Sequence, residues 1–87
     1  MDDDPNLGYL NSELQSTTFI IEELKLALAN MGEGPVYRLI GKILVKKEVN
    51  ELRTELEEEL RLAETKLSVL TSQKKVIEQK IKEGLDG

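Results

Sequence analysis

The stretch GPVYRLIGKILVK, Gly34 to Lys46, decides the fold. Val36–Ile40 and Ile43–Lys47 are rich in aliphatic and β-branched residues. Gly41-Lys42 between them suits a two-residue type II′ turn, which needs positive φ at its first central position. The reading is a short antiparallel hairpin. In this register Ile40 faces Ile43 on one side and Leu39 faces Leu44 on the other, so both faces are largely apolar. An isolated hairpin is barely stable in water, and this one has nothing of its own to cover its faces. Its edges also offer unpaired backbone groups. Two arrangements are open to it: folding onto the base of its flanking segments, or joining a larger sheet made with other subunits. The scarcity of other apolar surface nearby favours the second. Val36, Tyr37, Leu39, Ile40, Ile43, Leu44 and Val45 are then the expected oligomerisation residues.

Both flanks of the hairpin carry a coiled-coil repeat. On the N-terminal side Leu7, Leu10, Leu14, Thr17, Ile21, Leu24, Leu28 and Met31 follow alternating 3-4 spacing, the a/d seam of a left-handed coil. Thr17 is its one polar position. Asp4 can accept hydrogen bonds from the first turn, and Pro5 fits the first helical position, where its missing N–H costs nothing. Gly32 and Gly34 end the helix and Pro35 forbids its continuation, so it covers about 5–31, some 40 Å at helical rise. The second helix starts near Glu48 and runs to about 83–84, with Gly84 and Gly87 as stop signals. Its seam reads Val49, Leu52, Leu56, Leu60, Ala63, Leu67, Leu70, Lys74, Ile77 and Ile81. The opening 3-4-4 step relaxes the supercoil locally, and Lys74 implies a wet or unpaired seam there. Paired antiparallel from the hairpin outward, Leu7 reaches about Gln73 and the residues beyond it overhang.

A chain of 87 residues is one unit, here a single domain over 1–87, and a lone core of this size is marginal. Aromatics are 3% with no Trp, and charged residues are 33%, mostly Glu and Lys; this suits long solvated helices better than a globular core. A net charge of −5 and a pI near 4.8 argue against nucleic-acid or anionic-membrane partners. The absence of Cys and His removes disulfides, thiol chemistry and the usual transition-metal sites. No apolar run approaches the ~20 residues of a membrane span, and the acidic MDDD start is unlike a signal peptide. Any active site would need carboxylates or Lys in a dry pocket, which two paired helices do not make. The expectation is a soluble cytoplasmic protein with no cofactor and no catalytic role. Among the charge runs, Glu57, Glu58 and Glu59 precede Arg61, and Lys74, Lys75, Lys80 and Lys82 crowd the far end of helix two, where the helix dipole favours them.

The layout resembles a β-class prefoldin subunit, close to archaeal prefoldin β and the eukaryotic subunit six. Val36, Tyr37, Arg38, Leu39, Ile40, Gly41, Leu44, Val45 and Lys46 match the family's pattern of val-Tyr, a basic residue, an aliphatic pair with Gly, and a Leu-Val-Lys strand. The single hairpin is similar to the β class, since α-class subunits carry two, and the resemblance covers essentially the whole chain. It implies a mainly α fold, an antiparallel two-helix coiled coil whose hairpins assemble into an intersubunit β-barrel platform. It also implies an ATP-independent co-chaperone of two α-class and four β-class subunits, whose arm tips hold unfolded proteins for transfer to a group II chaperonin. Helix one is shorter than is usual in the family, which implies either further N-terminal residues or a shortened, specialised member. This departure bears on the tip more than on the platform. It keeps open a second role, a structural adaptor that uses the same platform to organise a multiprotein complex without holding clients.

Apolar residues outside the seam are candidates for a client surface. With Leu60 at a, Leu62, Val69 and Val76 recur at c, and on helix one Phe19 and Leu26 share f, normally the most exposed position. Contacts proportional to apolar area and indifferent to sequence suit the holding of unfolded chains. Packing against a neighbouring arm, or a slightly rotated seam, accounts for Phe19 and Leu26 better, since they lie midway along the arm. Val69, Val76, Ile77 and Ile81, toward the tip, are the expected client-binding residues.

Overall fold

The structure, a computed structural model, describes residues 5–86. Asp4 and Gly87, expected as a helix cap and a stop, lie outside the described residues. The chain order is α1 (Pro5–Ala29), β1 (Val36–Ile40), β2 (Ile43–Lys47) and α2 (Val49–Asp86). The two helices pack along each other and the two strands pair only with each other, as the patterning predicts.

The seam holds in full. Every one of its described positions is buried or half-buried, whereas Phe19 and Leu26 at f are 61% and 65% exposed. The deepest apolar side chains are Leu10, Ile21, Leu52, Leu56 and Leu70. Thr17 is more buried than any of them, at 2% exposure. The core is thus a single file of side chains between two helices. Its consequence is visible in the shape: extents of 61 × 22 × 15 Å and a radius of gyration of 18.2 Å, against roughly 12 Å for a compact domain of this length. The accessible surface is 6745 Å², well above the about 5,200 Å² expected at this mass.

Helix boundaries differ from the expectation in two places. Helix α1 stops at Ala29, two residues short of Met31. There Asn30 closes the last turn: its backbone N–H donates to the Leu26 and Ala27 carbonyls at 3.1 and 3.2 Å, and its side-chain amide adds a second donor to Leu26 at 2.8 Å. Helix α2 passes through Gly84 to Asp86. A glycine in a helix costs about 1 kcal/mol but does not stop one unless the chain turns left-handed there, and Gly84 has no positive φ. This displaces the lysines as well. The last turn of α2 contains no basic residue, and the dipole acts only over that turn, so Lys74, Lys75, Lys80 and Lys82 are not its complement. At the other end, Glu48 acts as N-cap. Its carboxylate accepts from the Glu51 amide at 3.0 Å, and its carbonyl accepts the first helical bond from Leu52.

The hairpin register is the expected one, with Leu39 opposite Leu44 and Ile40 opposite Ile43. Gly41 has φ of 62° and no other described residue is left-handed, which is the type II′ pattern. The hairpin hardly lengthens the molecule, because α2 alone spans about 57 Å of the 61 Å long axis. The sheet therefore lies beside the arm rather than beyond its end.

Candidate functional site

Cross-strand pairs share a face, so the register divides the hairpin into two sides. Val36, Arg38, Ile40, Ile43, Val45 and Lys47 form one; Tyr37, Leu39, Leu44 and Lys46 form the other. The first side looks toward α2. Arg38 donates through both terminal nitrogens to the Glu59 carboxylate, at 2.7 and 2.9 Å, and through one of them to Glu55 at 3.3 Å. Lys47 Nζ donates to Glu55 at 2.8 Å and lies 3.6 Å from Glu51. The Lys47 ammonium, with Arg38 behind it, holds the Glu55 carboxyl below the usual carboxylate range. Glu55 raises Lys47 in turn, and Glu59 raises Arg38. Glu51, Glu55 and Glu59 form this row because a spacing of four keeps them on one helical face. The second side is bare. Tyr37, Leu39 and Leu44 are 57–67% exposed, and Ile40 and Ile43 beside the turn are also more than half exposed.

The backbone edges coincide with that bare side. In a two-residue hairpin the pair flanking the turn, Ile40 and Ile43, exchanges hydrogen bonds, and bonding then alternates along the ladder. Leu39, Leu44, Tyr37 and Lys46 consequently direct their N–H and C=O groups away from the partner strand. Among the described residues both edges of the two-stranded sheet are free. Of the seven oligomerisation residues, Tyr37, Leu39, Ile40, Ile43 and Leu44 present open apolar surface, while Val36 and Val45 are half-buried on the helix side.

The far end of the arm carries a second apolar surface. Asn6, Tyr9 and Leu10 of α1 and Ser72, Gln73, Val76 and Ile77 of α2 line one open groove. Val76 and Ile77, on the expected overhang beyond Gln73, thus share the groove with α1. Helical side chains lean toward their own N-terminus. In an antiparallel pair, Tyr9 and Leu10 therefore lean outward while Val76 and Ile77 lean back to meet them. Lys66 Nζ pairs with Glu13 at 3.2 Å on the flank formed by heptad positions g and c. Leu62, Val69 and Val76 recur along that flank, each 52–54% exposed, with Ile20 facing the same way from α1. Of the four expected client residues, Val69 and Val76 stand open to solvent, whereas Ile77 and Ile81 are half-buried in the seam line together with Lys74. Sequence reasoning passed over Tyr9 and Ile20, whose positions c and g become apolar flank once the coil is antiparallel. It also passed over the Arg38–Lys47 network.

The fold is an antiparallel coiled-coil arm with a two-stranded sheet beside it, whose outer face is uncovered among the described residues. The particular family follows from sequence: the family model for prefoldin subunits matches residues 7–84. The chain belongs to the prefoldin subunit family. No curated protein matches it. Among the described residues no helix is long and apolar enough to cross a membrane.

Proposed function

We propose that this chain is a β-class subunit of a prefoldin-type hexamer that holds non-native polypeptide without ATP and passes it to a group II chaperonin in the cytoplasm. The observation that carries the reading is the hairpin. Tyr37, Leu39 and Leu44 expose apolar surface on one face and Ile40 and Ile43 on the other, next to two strand edges that are free among the described residues. Such a surface is unstable in water unless other strands complete the sheet. A single hairpin, rather than two, supports the β class. The open groove at Tyr9, Leu10, Val76 and Ile77, with Val69 on the same flank, supplies the non-directional apolar contact that unfolded chains need. The reading gives the chain no catalytic role and no cofactor.

The test has two readouts: the solution mass of the chain alone and mixed with an α-class subunit, and suppression of aggregation of a denatured model protein in both settings. Conversion to a defined hexamer that suppresses aggregation supports the proposal. A hexamer that fails to suppress aggregation overturns client holding and leaves the adaptor role. A chain that ignores the α-class partner overturns the hexamer.

A further inference from the structure

We propose that Arg38 and Lys47 latch the hairpin along the first turns of α2 through Glu51, Glu55 and Glu59, that this latch sets the angle between sheet and arm, and that ionic strength releases it. The sheet is poorly held by anything else. Glu48 alone separates the end of β2 from the start of α2, so one residue forms the joint on that side. On the other side residues 30–35 intervene, with Gly32 and Gly34 among them and no helix or strand. Apolar packing on the helix-facing side is limited to the half-buried Val36 and Val45, since Ile40 and Ile43 there stay 53% and 68% exposed.

What does cross the gap is charge. Four of the six ion pairs among the described residues belong to this network. Arg38 reaches Glu59, some 15 Å up α2 from the joint, a lever that makes a small change in the bond a large change in hairpin direction. The Arg38 fork meets Glu59 with two parallel bonds, a geometry that fixes orientation as well as distance. The side chains involved are 19–59% exposed, so dissolved ions reach them, and screening contracts to about 3 Å at 1 M salt. The latch keeps Tyr37, Leu39, Leu44 and Lys46 turned away from the arm. The inference rests on contacts within one chain and does not depend on the hexamer.

The test is a distance measurement between spin labels at Lys42→Cys, beside the turn, and Gln79→Cys on α2; the chain has no cysteine of its own to interfere. A small labelled fraction in excess unlabelled chain puts at most one labelled pair in any assembly, so the result is independent of whether the chain oligomerises. At low salt a single narrow distribution is expected. It should at least double in width in Arg38→Gln/Lys47→Gln, and do the same in the otherwise unaltered chain at about 1 M salt. Reversing all five charges together should restore the narrow form. A distribution that stays narrow in the double variant, or throughout the salt series, overturns the latch. The salt series needs no substitution in the network, so a folding defect in the variant cannot decide the outcome.

Discussion

At the scale of single residues, two positions carry conditions that the surrounding pattern does not. Gly41 sits at φ of 62° with open space where a Cβ would go, so the cost of a side chain there is purely backbone. Gly41→Ala should cost about 1–2 kcal/mol of hairpin stability, read as roughly tenfold faster amide exchange across Val36–Lys47. Gly41→Val should lose more, because a β-branched side chain tolerates positive φ least of all. Equal loss in both variants would mean that the turn is not what holds the register. Thr17 is the other case. It is the most buried described seam residue and the only hydroxyl among the leucines and isoleucines around it. Burying a hydroxyl without a compensating hydrogen bond costs on the order of 1 kcal/mol. Thr17→Val should therefore raise the melting temperature of the arm, by about 4–8 °C for a chain of this size. A polar seam residue also penalises slipped registers, so the same variant should populate alternative helix alignments, visible as doubled amide resonances around Leu14 and Leu24.

At the scale of elements, the charged link between sheet and helix gives the hairpin a pH dependence with a definite sign. The Glu55 pKa is lowered in the folded chain from an ordinary value of 4.5, chiefly by the hydrogen bond from Lys47. Its contribution is complete above that ordinary value and is lost as pH falls through the lowered one. Lys47 is raised from 10.5 by Glu55, so its contribution is complete below 10.5 and is lost as pH climbs through the raised value. A carboxyl-detected NMR titration should find Glu55 below the ordinary glutamate value, and Lys47→Gln should move it upward. No movement would remove Lys47 as the cause. The elements themselves were legible in the chain because each obeys one strong period: 3-4 for the seam, two for the strands, with Gly41 between. The network was legible only in halves. Arg38 and Lys47 fall on one strand face by simple alternation, and Glu51, Glu55 and Glu59 fall on one helix face by a spacing of four. No local period says that those two faces meet, since that follows from the joint at Glu48. The boundary at Gly84 was misread for a related reason: a glycine permits a helix to end without obliging it to.

For the whole molecule, the relevant fact is that the apolar surface of the hairpin and that of the groove at the far end of the arm lie apart, so each can be removed without the other. Leu44 is 67% exposed in the single chain, and aspartate there costs the isolated fold little. Within a completed sheet the same carboxylate would be buried and unpaired, which is expensive. Leu44→Asp should accordingly leave helical circular dichroism unchanged while light scattering shows the assembly falling to monomers; an unchanged mass would exclude the bare hairpin face as the interface. The complementary variant is Tyr9→Ser/Val69→Ser/Val76→Ser. All three side chains are more than half exposed, so their loss creates no cavity and the melting temperature should shift by no more than a surface substitution does, within about 0.5 kcal/mol per site. Client contact, however, scales with apolar area at about 25 cal/mol per Å², and deleting an aromatic ring and two isopropyl groups removes much of that flank. The triple variant should keep the mass of the parent assembly and lose most of its suppression of aggregation, with the loss largest at low molar excess over client. Full suppression by the triple variant would show that clients are held elsewhere on the arm, with the midway pair Phe19 and Leu26 as the next surface to remove.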